Sequence, residues 1–252
     1  GKSFEGLEGD TLASALLANG VHLMGRSFKY HRPRGILAAG VEEPNALMQI
    51  SRSSARTTPN VRASIQEIHD GLVAHSQNRY PSLTFDVGAI NNVLSPFFSA
   101  GFYYKTFKWP AAAWDKVYEP FIRRAAGLGR APTEADPDHY ANRFAHCDVL
   151  VIGGGAAGLM AAKLAAEQNK SVILCDENPD MGGWMLSDTD LRMDGKSAAD
   201  WAAGMVRDLA AMDNVRLLSR TTGIGYFQQN MLVLNQRVSE HLSNPDAELP
   251  RE

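Results

Sequence analysis

Three glycines and one acid have the clearest chemical role in this sequence. Gly153, Gly155 and Gly158 follow an apolar run, and Asp176 lies eighteen positions beyond the last of them. Glycines at this spacing let the backbone at the start of a helix approach a pyrophosphate, which the positive end of the helix dipole also attracts. An acid at the end of the next strand accepts hydrogen bonds from ribose hydroxyls. The spacing therefore predicts a dinucleotide site.

The motif alone leaves the choice between FAD and NAD open. NADP is the poorer candidate, because its 2′-phosphate would meet Asp176 and Glu177 with no arginine next to them in the sequence. The glycine pair Gly182-Gly183 follows the acid. It resembles the loop that approaches the cofactor in the two-dinucleotide-binding-domain flavoproteins. The predicted binding residues are Gly153, Gly155, Ala156, Ala157, Gly158, Asp176, Glu177, Gly182 and Gly183.

The hydrophobic pattern predicts the elements that position these residues. Strands are expected over 149–152 and 171–175, on either side of a helix over 156–168. A helix over 196–212, a strand over 215–219 and a hairpin over 222–235 follow. The expected class is α/β, an incomplete Rossmann-like unit of a longer polypeptide, occupying residues 146–252.

Residues 1–79 are expected to form a separate small α+β domain. A strand over 3–7, a helix over 12–19 capped by Asp10 or Thr11, and strands over 36–39 and 46–50 are predicted. Residues 80–145 form an aromatic-rich connector, with packing favoured over a substrate cage for the run at 102–109. This connector contains a helix over 114–126 and a Pro- and Asp-rich linker over 130–142.

A basic loop over 25–35 alternates cations with aromatic side chains. Pairing of its arginines with acids such as Glu42 and Glu43 is the favoured interpretation, ahead of a role at an anionic cofactor or an interface. Nucleic acid is not expected as a partner, because the net charge is −3 and no other basic surface is evident.

Composition favours a protein of the cytoplasm. The most apolar window, 149–166, contains four glycines and Lys163, so no membrane span is expected. The sequence does not open with a charged segment followed by an apolar one, which is the pattern of a secretory signal peptide. Cys147 and Cys175 are the two cysteines of the chain, which fits a reducing compartment.

Five segments resemble the α subunit of heterotetrameric sarcosine oxidases. They are GDTLASALLANGVHLMGRSFKYHRPRG (9–35), EEPNAL (42–47), AGFYYKTFKWP (100–110), YEPFIRRAAGLGRAP (118–132) and CDVLVIGGGAAGL (147–159). The resemblance implies an N-terminal fragment of an enzyme that oxidises sarcosine to glycine with O2. The products would be H2O2 and either formaldehyde or 5,10-methylenetetrahydrofolate.

The resemblance also implies cofactors and partners. NAD is expected at the glycine motif of this chain, with FAD as the alternative there, and FAD and FMN in a complex with β, γ and δ subunits. Catalytic residues are unknown and are expected in another subunit. Two alternatives stay open: a subunit of a related amine dehydrogenase or hydrogen cyanide synthase, and a non-catalytic scaffold stabilised by its nucleotide.

The first domain resembles a 2Fe-2S ferredoxin-like β-grasp domain. Such a cluster is held by four cysteine thiolates, and residues 1–146 contain no cysteine. We therefore expect a structural domain with no iron–sulfur cluster.

Overall fold

A computed structural model describes residues 1–98, 101, 107, 109–125 and 127–252. These residues form two compact units, Gly1–Asp138 and His139–Glu252. The boundary lies in the predicted linker, whereas the finer division at 79 and 145 stays a prediction. Most of the aromatic run at 102–109 lies outside the described residues.

The described residues of the first unit form three α-helices and five strands. They are α1 (Leu12–Ala18), β1 (Gly25–Arg26), β2 (Pro33–Arg34), β3 (Leu47–Ser51), β4 (Thr57–Arg62), β5 (Val73–Ser76), α2 (Ile90–Val93) and α3 (Glu119–Ala125). The unit is built on an antiparallel sheet in the order β4–β3–β5, and β1 pairs with β2 in a separate small hairpin. A π-helical turn, Trp114–Tyr118, leads into α3.

Helix α1 begins where the sequence predicts. The Thr11 side chain accepts a hydrogen bond from Ser14 N (3.2 Å), and the Ser14 side chain in turn accepts one from Thr11 N. This reciprocal cap satisfies two backbone donors at the start of the helix. The buried face of α1 packs against Met24 and the inward side chains of β3, which gives this unit its own apolar core.

Two predicted strands of the first unit are wrong. Residues 3–7 are exposed and pair with no described strand. Residues 36–39 are not a strand either, since the N–H groups of Leu37 and Ala38 donate to the Glu43 side chain.

The basic loop is bonded to residues 83–98 of the same unit. His31 Nδ1 lies 2.6 Å from Asp86 Oδ2, and Arg32 Nε donates to Asn92 Oδ1 over 2.7 Å. Arg26 donates to the Leu83 carbonyl. Structural pairing was expected, but its partners are these groups, because the Glu43 carboxylate is bonded to backbone N–H groups instead.

The second unit contains a parallel three-stranded sheet in the order β10–β7–β6, which confirms the α/β class. A hairpin of β11 and β12 follows the sheet. The elements are β6 (Val149–Ile152), β7 (Val172–Cys175), β8 (Arg192–Met193), β9 (Lys196–Ser197), β10 (Val215–Leu218), β11 (Thr221–Phe227), β12 (Met231–Gln236), α4 (Ala156–Glu167) and α5 (Ala198–Ala210).

The core of the second unit lies between the sheet and the two helices. Every residue of β7 is buried, which explains its unbroken apolar sequence. Leu159 from α4, Leu174 from β7 and Leu209 from α5 are each 0 % exposed within one cluster. This packing fixes the end of β7, where Asp176 follows, against the start of α4.

Membrane-spanning helices and metal-binding groups of side chains are both absent from the described residues. None of their helices has the length and apolar character needed to cross a membrane. In the same part of the chain, no three His, Cys, Asp or Glu side chains are grouped so that they are able to hold a metal ion.

Candidate dinucleotide-binding site

The glycine turn joins β6 to α4, and two of its three motif glycines occupy positions that require glycine. Gly153 has a φ of +102°, which L side chains rarely adopt, and its N–H donates to the Cys175 carbonyl of β7 (2.8 Å). A Cβ on Gly158 would collide with the Gly153 carbonyl oxygen. By contrast, a Cβ on Gly155 would meet nothing within 4 Å, so open space adjoins the backbone at this position.

The start of α4 has no side-chain cap. Gly155 is the N-cap residue, and its neighbours Ala156 and Ala157 occupy the first turn, which contains no acidic residue. The first N–H groups of a helix have no partner within the helix. Since no side chain caps this end of α4, these N–H groups are available to an anion, and binding of a pyrophosphate to them stays a prediction.

Asp176 is bonded to the glycine turn itself. Its Oδ2 accepts from Gly154 N (2.6 Å), and its Oδ1 accepts from Asn178 N (2.8 Å) and Asn178 Nδ2 (3.1 Å). The residue is 7 % exposed. Asp176 thus fixes the position of the glycine turn at the end of β7, a role that the motif did not predict, while the contact with ribose stays a prediction.

The glycine pair Gly182-Gly183 lies against the glycine turn. Gly182 and Gly183 have φ values of +147° and +57°, and a Cβ on Gly183 would be 3.4 Å from the Gly155 Cα. Met181 packs on the same turn, so closely that a Cβ on Gly154 would lie 2.8 Å from Met181 Cγ. The fold thus brings together the two predicted glycine groups.

Two residues distant in the sequence, Thr221 and Arg237, also lie here, and the glycine motif did not predict them. Thr221, 1 % exposed, donates its N–H to the Asp176 carbonyl (2.7 Å). Arg237 Nη2 donates to the Glu177 carbonyl (2.5 Å), which places an arginine next to the acid pair. The contact of Asn178 with Asp176 was predictable from the sequence, since Asp and Asn two residues apart favour a local turn. The positions of Thr221 and Arg237 depend on the path of the later strands.

Cys175 is buried behind the site. Burial and the neighbouring Asp176 charge raise the pKa of its thiol above the ordinary value, so the thiol stays neutral. A neutral, 0 % exposed thiol is a poor nucleophile. Burial and the raised pKa therefore favour a packing role for Cys175 over a catalytic one.

Comparison with known proteins gives two family matches. A model described as FAD dependent oxidoreductase matches residues 148–240, which contain the glycine turn and Asp176. A model described as 2Fe-2S iron-sulfur cluster binding domain matches residues 1–79. The first match supports FAD as a cofactor of the nucleotide-binding part, whereas NAD stays a prediction.

The second match corrects our expectation that no iron–sulfur cluster is associated with this chain. It points to an iron–sulfur cluster-binding domain over residues 1–79. Those residues contain no cysteine, so they do not supply the thiolate ligands by which proteins hold such clusters. No chemical step is therefore assigned to a cluster.

Whole-chain relatives agree with the first match. Sarcosine oxidase subunit alpha from Rhizobium meliloti (strain 1021) is 57 % identical over the entire chain, which covers 25 % of that protein. The subunit alpha from Corynebacterium sp. (strain P-1) is 34 % identical over 97 % of this chain and 21 % of its own length. The chain therefore spans about a quarter of these curated relatives.

A solved structure agrees at the level of the fold. The crystal structure of L-proline dehydrogenase from P. horikoshii aligns with 94 % of this chain and 36 % of its own, with a TM-score of 0.55 at 18 % identity. At this identity the likeness concerns the fold alone. Along its whole length, the chain is similar in sequence to the sarcosine oxidase alpha subunits, with 57 % and 34 % identity to the two relatives named above.

Proposed function

We propose that the glycine turn, Asp176 and the pair Gly182-Gly183 form the adenine dinucleotide site of a sarcosine oxidase alpha subunit. The proposal rests on one observation, the convergence of these groups at the end of β7. Gly154 N is bonded to Asp176, and Gly183 lies beside Gly155. Three separate stretches of the sequence thus meet where a Rossmann-like unit holds its ligand.

Each group has a distinct task in this proposal. The uncapped N–H groups of α4 and the open space at Gly155 receive the pyrophosphate. The Asp176 carboxylate accepts three hydrogen bonds within the chain. A carboxylate has about four acceptor positions, so one remains for a ribose hydroxyl. Glu177 borders the same end of the strand.

The identity of the dinucleotide has two candidates that differ in their non-adenine half. The family match over 148–240 favours FAD. NAD is the candidate implied by the resemblance to heterotetrameric sarcosine oxidases. Release of the bound nucleotide from the full-length protein, followed by mass spectrometry, separates the two, because FAD and NAD differ in mass and only FAD is yellow.

The reaction of the whole protein is proposed from its relatives. Oxidative demethylation of sarcosine is the activity that their name indicates, and this chain contributes nucleotide binding to it. We further propose the division into a ferredoxin-like β-grasp domain over 1–79, a connector over 80–145 and a two-dinucleotide-binding-domain flavoprotein unit over 146–252. The small helix α1 packed on β3 supports the first of these.

Gly155→Val is expected to abolish nucleotide retention without unfolding the protein. A side chain at this position meets no atom of the chain within 4 Å at Cβ, and the backbone φ of −72° suits any residue. The valine methyls would instead occupy the space proposed for the pyrophosphate. The measurement is the nucleotide content of purified full-length protein, together with its midpoint of thermal unfolding in the absence of nucleotide.

Gly204→Val is the matched control, since it adds the same side chain to α5 at a position whose nearest neighbour is Arg207 Nη2, 3.9 Å away. It should leave the nucleotide content unchanged. Normal nucleotide content in Gly155→Val would show that the pyrophosphate does not lie at this turn.

A further inference from the structure

The side chain of Glu43 is enclosed by its own loop. It is 1 % exposed, and its carboxylate accepts four backbone hydrogen bonds. Oε2 accepts from Leu37 N (2.6 Å) and Ala38 N (2.6 Å). Oε1 accepts from Asn45 N (2.6 Å) and Ala46 N (3.1 Å). Both oxygens of a buried carboxylate are thus bonded to the main chain of residues 37–46.

These four donors are sufficient to keep the carboxylate charged. Burial raises the pKa of the Glu43 carboxyl. The hydrogen bonds from the backbone of Ala38, Asn45, Leu37 and Ala46 together lower it by more, so the pKa lies below the ordinary value. Several backbone N–H groups that converge on one point form an anion-binding concavity. The loop therefore has the donor arrangement of an anion site.

The loop has supports that do not involve Glu43's carboxylate. Ser64 Oγ, in a residue 2 % exposed, donates to the Gly40 carbonyl (2.8 Å), and Ala63 N donates to the Ala46 carbonyl (2.9 Å). These bonds connect both halves of the loop to the residues after β4. Gly40 and Ala46 are thus bonded to residues outside the loop by contacts that do not depend on the Glu43 carboxylate.

We propose that residues 37–46 form a backbone anion nest whose ligand is the chain's own Glu43 carboxylate, and that a small free carboxylate binds there once this side chain is removed. Nests of this kind hold phosphates and iron–sulfur clusters in other proteins. This one lies within the residues that match the 2Fe-2S domain model. In this chain the Glu43 carboxylate provides the negative charge, and Glu43 belongs to the first unit, whereas the residues of the proposed dinucleotide site belong to the second.

The proposal is tested by removing the Glu43 carboxylate through mutation and then adding a free carboxylate, formate, to the variant. In the full-length protein, Glu43→Ala should lower the midpoint of thermal unfolding by about 4 °C or more, because four buried donors lose their acceptor. Sodium formate, compared with sodium chloride at equal ionic strength, should then raise the midpoint of the variant. The rise should grow with the logarithm of formate concentration, as expected for a ligand that binds the native state.

Glu42→Ala is the matched control, because Glu42 is the exposed neighbour of the buried residue. Neither this variant nor the unmodified protein should respond to formate beyond the response to chloride. An unchanged midpoint in Glu43→Ala, or an equal formate response in all three proteins, would overturn the proposal.

Glu43→Gln keeps the test decisive if Glu43→Ala does not fold. A carboxamide has the size of the carboxylate, but its NH2 group faces two N–H donors in either orientation. A midpoint below that of the unmodified protein supports the nest. A midpoint equal to it shows that the negative charge is not needed and overturns the assignment.

Discussion

Asp176 has a role in the fold that its predicted role at the nucleotide did not include. Its spacing from the glycines indicated a ribose contact, whereas the structure bonds both of its carboxylate oxygens to the chain. The bond to Gly154 N connects the end of β7 to the turn that begins α4. An acid at this position therefore organises the site in addition to its proposed contact with the ligand.

At the residue scale, Asp176→Asn is expected to destabilise the nucleotide-free protein by about 1–3 kcal/mol. The carboxamide nitrogen must face an N–H donor at either Gly154 or Asn178, because both carboxylate oxygens accept hydrogen bonds. Chemical denaturation of the full-length protein, stripped of nucleotide, measures the change in the free energy of unfolding. Asp180→Asn, at an exposed position, is the control; equal stability of the two variants would contradict the organising role.

At the scale of elements, the hairpin of β1 and β2 depends on a partner segment. The loop between these strands contains His31, with a φ of +52°, and its ring is hydrogen-bonded to Asp86. Asp86 Oδ1 also accepts from Tyr80 N (2.9 Å) and Gly88 N (3.2 Å). One carboxylate, 0 % exposed in its side chain, thus connects the basic loop to the segment that leads into α2.

The stabilising effect of Asp86 is expected to depend on pH. Burial raises the pKa of its carboxyl, but hydrogen bonds from Tyr80, His31 and Gly88 and the charge of His31 outweigh it, so the pKa lies below the ordinary 3.8. A lowered folded-state pKa means that the stabilisation is complete well above pH 3.8 and decreases as the pH falls through the lower, folded-state value. The difference in unfolding midpoint between the unmodified protein and Asp86→Asn should therefore be largest near neutral pH and shrink in acid.

The control for this pH series is Asp70→Asn, because Asp70 is exposed. The difference in unfolding midpoint between Asp70→Asn and the unmodified protein should be small over the whole pH range. A difference for Asp86→Asn that does not change between neutral pH and the acid limit of folding would contradict the assignment.

At the scale of the molecule, the two compact units have separate apolar cores. One cluster joins α1 to β3, and the other joins α4, α5 and the parallel sheet. Each cluster draws its buried residues from one unit. A defect in one core is therefore expected to destabilise that unit before the other.

Leu209→Ala should destabilise the second unit by about 2–5 kcal/mol, because it leaves a cavity at a fully buried position of α5. Hydrogen exchange followed by mass spectrometry should show faster exchange in β6, β7 and β10, with α1 and β3 unchanged. Leu164→Ala, at a position of α4 that is 52 % exposed, should have little effect. Equal acceleration in both units would show that the cores are coupled.

Local pattern was sufficient to predict much of the second unit. The unbroken apolar runs and the helical period placed β6, β7, α4 and α5 within two residues, because β7 is buried along its whole length and one face of each helix packs on the core. The strands predicted over 3–7 and 36–39 failed. Strand formation depends on a neighbour that supplies hydrogen-bond partners, and short-range pattern does not contain that information.

The sequence by itself determined the α/β class, the glycine turn and the identity of its acid, since glycine's conformational freedom and the spacing of strand and helix are local properties. Only the tertiary structure decided the contacts. It placed Gly183 beside Gly155 and Thr221 on the Asp176 carbonyl, and it enclosed Glu43 in backbone donors rather than pairing it with arginine. These contacts depend on how distant segments pack, because a buried polar group must take its partners from whatever the fold brings within hydrogen-bond reach.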